Sequence, residues 1–317
     1  MKKILLFLSM AAVVLTFTAC NSNDNNGVQD IEIPGVTLDG DVDCCSAEEA
    51  LQVYKFLQTV TIIPELSIKD IDDKYNVFAY RSADFHKGYN EIFFVATKKK
   101  NGNYVKDFDI TSITPLMHMS AMNMYHSTPV SAGVETFDNK PTAVKRGWIS
   151  FIMATSGKDT WALSYTARVL KSEASISDVE QVVNPLPDGQ DWVKSFKVGN
   201  ETFFISLVNP TEYKTGTNAV KAYISKKSAK VTEPYQLVSE KFTVEILPTM
   251  PDMGNHSSPD NAAFAKQDDG SYLGTLNLTM TGLWRIHLTV KDANGNIVAG
   301  GDDLDSGFSS LYLDVTI

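Results

Sequence analysis

Histidine, cysteine and clustered basic residues are scarce in this sequence. Its 317 residues include five histidines and three cysteines, and no basic block offsets the net charge of -10. A chain with this net negative charge lacks the cluster of basic residues that attracts nucleic acid. It also lacks a Gly-x-Ser-x-Gly elbow, a His-Glu-x-x-His motif and a phosphate-binding loop. We therefore expect neither a nucleic-acid partner nor an enzyme.

Long apolar runs are also scarce, and the main one lies at the start of the chain. Residues 4–17 are apolar and follow Lys2 and Lys3, but the run is too short to span a bilayer. Residues 17–20 resemble the lipobox of bacterial lipoproteins, with Phe17 at the position where leucine is usual. The resemblance implies a signal peptide over residues 1–20 and a lipid anchor on Cys20. We expect an outer-membrane lipoprotein of the cell envelope, facing the periplasm or the surface.

Residues 21–45 are expected to form a flexible linker. They are rich in Asn, Asp and Gly and poor in large apolar side chains. Cys44 and Cys45 lie at its end, and adjacent cysteines bond each other only with strain. They are compatible with free thiols, an intermolecular bridge or soft metal ligands.

The remaining sequence predicts one short helix followed by strands. Residues 46–60 have Ser46 as a candidate cap. Three apolar residues recur on one face of this helix: Leu51, Tyr54 and Leu57. Beyond it, short runs rich in β-branched and aromatic residues alternate with turn signals such as Asn294-Gly295. This pattern is typical of an all-β sandwich or barrel.

An internal repeat divides the chain into two copies. The matching landmarks occur in the same order: residues 88–90 and 216–218, 115–117 and 248–250, 126–129 and 256–259, Gly147 and Gly274, Met153 and Met280, and Trp161 and Trp284. The Pro- and Gly-containing stretch 184–189 is a natural boundary. We therefore predict two tandem immunoglobulin-like or cupredoxin-like β-sandwich domains, at residues 46–187 and 188–317.

Methionine and histidine are concentrated at equivalent places in the two copies. The candidate donors of the first copy are Met117, His118, Met119, Met122, Met124 and His126, and those of the second are Met250, Met253, His256 and Met280. Thioether sulfur suits Cu(I), and imidazole suits Cu(II) and borderline metals. Zinc, calcium and magnesium prefer thiolate or oxygen ligands that these segments largely lack. If a metal binds, the sequence favours copper, and Cu(I) in particular.

Packing offers a second interpretation of the same residues. Met153 and Met280 continue alternating strand patterns and would then end a row of core side chains. Met250, Met253 and His256 lie among loop-forming residues, where exposed methionine is harder to explain, although a hydrophobic loop could dock on the other domain. We interpret His287 as a structural residue. His86 has no neighbours in the sequence that are typical metal ligands.

Residues 250–256, the strand ending at Met280 and the turn 281–284 resemble the YtkA-like domain family. Members are small immunoglobulin-like sandwiches of bacterial envelopes, related in sequence style to FixH-like and copper-handling proteins. The resemblance covers most of the second copy, whereas the first copy departs by an insertion before Trp161. It implies an immunoglobulin-like fold.

Together these features favour a copper-binding lipoprotein with a role in copper trafficking, storage or tolerance. Its partners would be the membrane, through Cys20, and a copper-donor or copper-acceptor protein. The alternative is a structural, adhesive or partner-binding lipoprotein that holds no metal. A third hypothesis is a small-ligand binder with its site between the two domains.

Overall fold

The computed structural model describes residues 32–37, 47–136, 142–209, 212–303 and 306–317. The expected signal peptide, its Cys20, the linker cysteines Cys44 and Cys45, and the helix cap Ser46 lie outside the described residues. Within those residues the chain has one α-helix, α1 at Ala47–Leu57, and is otherwise built of strands and turns. The prediction of an all-β fold with two β-sandwiches and a short N-terminal helix is confirmed.

Twenty strands make up the two sandwiches in the described part of the chain. The first nine are β1 (Thr61–Ile71), β2 (Tyr75–Arg81), β3 (Gly88–Lys98), β4 (Tyr104–Val105), β5 (Phe108–Met119), β6 (Met124–His126), β7 (Val144–Phe151), β8 (Thr160–Val169) and β9 (Ser172–Gln181). The others are β10 (Val193–Val198), β11 (Glu201–Asn209), β12 (Gly216–Lys226), β13 (Gln236–Leu237), β14 (Thr243–Met250), β15 (His256–Ser257), β16 (Ala262–Lys266), β17 (Ser271–Leu278), β18 (Leu283–Lys291), β19 (Ile297–Gly300) and β20 (Tyr312–Thr316).

The first sandwich consists of two antiparallel sheets around one core. One sheet has the order β1-β2-β3-β4 with β7 paired to β3, and the other has the order β6-β5-β8-β9. Buried and less buried side chains alternate along β8, which places Trp161, Leu163 and Tyr165 on its core face. A period of two is what a strand with one buried face requires.

The second sandwich has the same layers, joined along one edge. Strands β10-β11-β12-β17 form one layer, and β14 with β15, β18, β19 and β20 forms the other. Strand β16 pairs with both β17 and β14, so hydrogen bonding continues from one layer into the next. This strand covers an edge that would otherwise expose unpaired backbone groups.

The two sandwiches repeat the same strand register. Gly88 lies opposite Phe151 in the pairing of β3 with β7. Gly216 lies opposite Leu278 in the pairing of β12 with β17. These are the positions that the sequence repeat aligns, so the repeat extends to strand pairing.

The repeat also includes one asparagine side chain that holds the turn before each of these strands. Asn90 Nδ2 donates to the His86 carbonyl at 2.6 Å, and Asn90 Oδ1 accepts from His86 N at 2.9 Å. Asn218 makes the same two bonds with Lys214, at 2.8 and 3.1 Å. Both asparagines are buried, which explains why their amides are fully hydrogen-bonded.

Each sandwich has its own hydrophobic core. The first draws on residues 63–183 and the second on residues 196–315. Trp161 and Trp284 are fully buried in these cores. The two tryptophans, which the sequence repeat aligns, therefore occupy equivalent buried positions.

The two sandwiches contact each other through main-chain and side-chain hydrogen bonds. Tyr235 N donates to the Thr128 carbonyl at 3.1 Å, and the Tyr235 carbonyl accepts from Val130 N at 3.2 Å. The hydroxyls of Ser150 and Ser206 are 2.7 Å apart and buried. Residues 32–317 accordingly form one compact unit.

Helix α1 buries a different face from the one expected. Its fully buried residues are the small Ala50 and Val53, and Phe56 packs edge-to-face on Phe93 with ring centroids 5.1 Å apart. The three residues of the expected face are only partly buried: Leu51, Tyr54 and Leu57. The helix therefore packs through Ala50, Val53 and Phe56 rather than through the expected face. No helix in the described part of the chain is long and apolar enough to cross a membrane.

Candidate metal site

The first Met/His segment is a hairpin of β5 and β6 rather than a loop. Met117 lies opposite His126, and Met119 lies opposite Met124. Directly opposed residues of an antiparallel pair share a face, and so do alternate residues of one strand. Four soft donors therefore share one face of this hairpin, with opposed Cβ atoms about 5 Å apart.

This face runs from the core to the solvent. Met117 is fully buried, Met119 is partly buried against the same core, and Met124 is 53% exposed. Met122 lies in the turn between the strands and is 55% exposed. The hairpin thus combines an inner sulfur, held by packing, with outer sulfurs that solvent reaches.

The imidazole of His126 is oriented in a manner typical of metal ligands. Its Nδ1 lies 3.0 Å from the Ser127 carbonyl, and a carbonyl only accepts, so Nδ1 carries the proton. Nε2 then presents a lone pair, and this buried atom has no hydrogen-bond partner among the described residues. Burial lowers the pKa of His126, which keeps the ring neutral at pH 7. In metal sites, the ring nitrogen that does not bind the metal usually donates its hydrogen to a group such as a backbone carbonyl, as Nδ1 does here.

His118 is not brought together with these donors. It lies opposite Tyr125, and the two rings stack with centroids 4.6 Å apart and an interplanar angle of 13°. Neighbouring positions of a strand point to opposite faces, so the sheet separates His118 from Met117 and His126. Sequence proximity alone grouped His118 with the other donors.

The second Met/His segment is also a hairpin. Met250 at the end of β14 lies opposite His256 at the start of β15. A 3-10 turn at Pro251–Met253 connects them, and Gly254 follows it with φ +65° in the left-handed region that glycine adopts readily. Met250 is 3% exposed, which corrects the expectation of an exposed loop methionine, whereas Met253 is 55% exposed and His256 is exposed.

Met280 lies in a turn beside the second hairpin. The Met250 methyl group is 3.0 Å from where a Cβ on Gly282 would lie, so Met250 packs against the turn that follows Met280. Trp284 Nε1 donates to the Met280 carbonyl at 2.9 Å, which fixes the Met280 backbone, and the Met280 side chain packs partly against the second core.

Met153 and Met280 both lie just beyond their strands, and of the two only Met280 packs against a core, as the packing interpretation expected. Strands β7 and β17 end at Phe151 and Leu278, two residues earlier. Met153 is 37% exposed, and its carbonyl accepts from Trp161 Nε1 at 3.0 Å. The two methionines therefore occupy equivalent turns, each pinned by a buried tryptophan.

Hard and charged ligands do not gather in the described part of the chain. No group of three or more His, Cys, Asp or Glu side chains there could hold a metal ion. A metal in these hairpins would depend on thioether sulfur with one imidazole. The structural interpretation of His287 is supported, because this buried ring hydrogen-bonds Thr249 and Ser309 and stacks on Phe308.

The structure also contains a cleft between the sandwiches, where the third hypothesis placed a small-ligand site, although the sequence did not group its residues. His86, Tyr89, Trp192 and Tyr223 are among its lining residues. Two local signals were present: the repeat landmark at residues 88–90, and Trp192, an aromatic residue three positions after the 184–189 boundary. The remaining lining residues come from distant parts of the chain, which only the packing of the two sandwiches brings together.

Residues 197–289 match the family model described as YtkA-like. The match contains the second Met/His hairpin, Met280 and Trp284, so the second sandwich is a YtkA-like domain, as the sequence motifs indicated. The match does not extend to the first sandwich. No curated protein matches the chain.

Proposed function

We propose that this chain binds copper, preferentially Cu(I), in the Met/His hairpin of each sandwich. The observation that carries the proposal is the repeated pair: Met117 faces His126, and Met250 faces His256, with further methionines beside each pair. The physiological role would be copper trafficking, storage or tolerance in the cell envelope.

The donor set of the first hairpin matches Cu(I) chemistry. Thioethers are soft and need no deprotonation, and a neutral imidazole adds one stronger donor. We assign Met117, Met119, Met124 and His126 to this site, with Met122 of the turn as an outer donor. His118 is left out because it lies on the other face.

The second site would use Met250, Met253 and His256, with Met280 from the neighbouring turn. Met253 and His256 are exposed, so a metal could reach them without the core opening. Exposed sulfurs in both hairpins suit exchange with a copper-donor or copper-acceptor protein.

The cellular setting is part of the same proposal. A lipid on Cys20 would attach the protein to the outer membrane, and the segment to residue 45 would act as a tether. Both hairpins would then lie in the envelope, where copper-handling proteins exchange the metal.

A metal-free structural or partner-binding role is the second candidate. It is favoured by the burial of Met117 and Met250, which are 0% and 3% exposed and pack in the two cores like ordinary apolar residues. In that case the exposed Met122, Met124 and Met253 would be contact residues for a protein partner.

The discriminating experiment is a titration of the purified chain, with its three cysteines replaced by serine, with Cu(I) under a competing chelator and with Zn(II) in parallel. We expect two Cu(I) per chain and weaker Zn(II) binding. The double variant M253A/H256A should retain one Cu(I) and an unchanged circular dichroism spectrum. Leu273→Ala is the control, because it changes another exposed apolar residue of the second sandwich. A parent chain that binds no Cu(I), or a double variant that still binds two, would contradict the proposal.

A further inference from the structure

The cleft between the two sandwiches has the dimensions of a small-molecule site. Its volume is about 520 Å³, within the range of about 300–1,000 Å³ that is usual for ligand pockets. Strands β3 and β7 of the first sandwich form one side, and β11 and β12 of the second form the other. It is distinct from the two Met/His hairpins, which contribute no residue to its lining.

Aromatic rings line this cleft on two sides. Tyr89 of the first sandwich stacks on Tyr223 of the second with ring centroids 6.1 Å apart. Tyr223 also stacks on Trp148, which is outside the lining, with centroids 4.7 Å apart and an interplanar angle of 7°. His86 and Trp192 form an edge-to-face pair with centroids 5.9 Å apart. The rings come from both sandwiches and pack on one another, which produces a rigid cleft suited to a flat ligand.

Two side chains of the lining already use their N–H donors, and one of them is Trp192, whose Nε1 donates to Gln190 Oε1 at 2.8 Å. Both donors of the Asn90 amide are used by the carbonyls of His86 and Gly88. Leu207 and Val208 add aliphatic surface that offers no side-chain hydrogen bond. Such a lining disfavours a ligand covered with hydroxyl groups, such as a sugar, because many of its polar groups would be buried without partners.

Of the cationic side chains in the cleft lining, Lys221 is held less tightly by acidic partners than Arg146. Arg146 is bound tightly, by Glu91 at 3.2 Å and Glu135 at 2.6 Å. The Lys221 ammonium has only a 3.4 Å contact with Asp269 and lies 5.2 Å from the centre of the Tyr223 ring.

The Asp269 carboxylate also accepts hydrogen bonds from a second residue, Ser271. Its other oxygen accepts from the Ser271 hydroxyl at 2.6 Å and the Ser271 amide at 2.9 Å. A single ammonium beside aromatic rings suits one anionic group on the ligand.

We propose that the cleft binds a small, flat aromatic molecule that carries one carboxylate. The ring lies among Tyr89, Trp192 and His86, and the carboxylate binds the ammonium of Lys221. This binding requires no metal and does not depend on copper in the hairpins.

The test uses the indole N–H resonances of the purified ¹⁵N-labelled chain. The Trp192 resonance is assigned with Trp192→Phe, and the fully buried Trp161 and Trp284 serve as internal references. The probes are benzoate, benzyl alcohol and glucose. We expect benzoate to shift the Trp192 resonance saturably, to leave both references unchanged, and to bind more tightly than the other two probes.

Two lysine variants test the role of the ammonium. Lys221→Met should weaken benzoate binding about tenfold and remove its advantage over benzyl alcohol, since a hydrogen bond to a charged group is lost. Lys197→Met is the control, because this exposed lysine is outside the lining and should leave benzoate affinity unchanged. The proposal is overturned if benzoate causes no Trp192 shift, if glucose or benzyl alcohol binds as tightly, or if Lys221→Met has no effect.

Discussion

Trp284 donates its indole N–H to the main-chain carbonyl of Met280 at 2.9 Å, and its ring is fully buried. Met280 follows β17 of one layer, and Trp284 lies in β18 of the other, so this bond pins the connection that crosses the core. Trp161 makes the equivalent bond to the Met153 carbonyl at 3.0 Å. The same hydrogen bond, from a buried tryptophan to a methionine carbonyl, is therefore present in both sandwiches.

Replacement of this tryptophan should destabilise the second sandwich. We expect Trp284→Ala to lower the free energy of unfolding by about 3–5 kcal/mol, because a large cavity forms in the core. Trp284→Phe should cost less, since it keeps most of the ring contacts and loses the hydrogen bond. Urea unfolding followed by circular dichroism measures both. A change within about 0.5 kcal/mol for the alanine variant, the range usual for surface substitutions, would show that the ring is not a core residue.

The second sandwich should fold without the first. Its core draws only on residues 196–315, and its contacts with the first sandwich, which are hydrogen bonds, an ion pair and stacked rings, lie outside that core. We expect the fragment 190–317 to give a β-type circular dichroism spectrum and dispersed amide resonances. A disordered fragment would mean that the two sandwiches form one folding unit.

His118 and His126, which lie on opposite faces of one hairpin, provide a matched pair of variants. His126→Ala should reduce Cu(I) binding at the first site, because it removes the only imidazole on the face of Met117 and Met119. His118→Ala should leave Cu(I) affinity unchanged, because His118 stacks on Tyr125 on the opposite face. A chelator-competition titration measures both. Equal losses in the two variants would contradict the assignment of the site to one face.

The buried imidazole of His126 also predicts a pH dependence. Burial lowers the pKa of His126 in the folded chain, so the unfolded chain takes up the proton at a higher pH. Its contribution to stability is therefore complete above the ordinary histidine pKa of about 6.5 and is lost as the pH falls toward the folded value. Cu(I) affinity at this site should likewise stay level at pH 7 and decline only in acid.

A comparison with His126→Gln isolates this effect from the other buried histidine, His287, whose pKa is also lowered by burial. The difference in unfolding free energy between the parent and His126→Gln should shrink as the pH drops below about 6.5. A difference that does not change with pH would show that His126 has an ordinary pKa.

Much of the fold could be read from local sequence patterns. Runs of β-branched and aromatic residues between turn signals predicted the all-β class that the structure has. The aligned landmarks of the two copies predicted a duplication that the structure extends to the hydrogen bonds of Asn90 and Asn218. These features are local, because such runs and turn residues act over a few positions.

Only part of the candidate sites could be predicted from the sequence. The sequence proposed the Met/His segments as a site but treated them as loops, and it assigned Met250 to an exposed position that is in fact 3% exposed. The cleft residues could not be grouped at all, because Tyr89, Trp192 and Tyr223 are far apart in the chain and approach only where the sandwiches pack.

The sequence by itself therefore determined the all-β class, the duplication and the concentration of soft donors in two segments. Only the tertiary structure decided that His126 shares a face with Met117 while His118 turns away from it, and that a cleft lies between the sandwiches. The physical reason is that a shift of one residue in strand register exchanges the two faces of a hairpin. Register is set by the turn and by core packing, and contacts between sandwiches are set by surfaces that no local pattern describes.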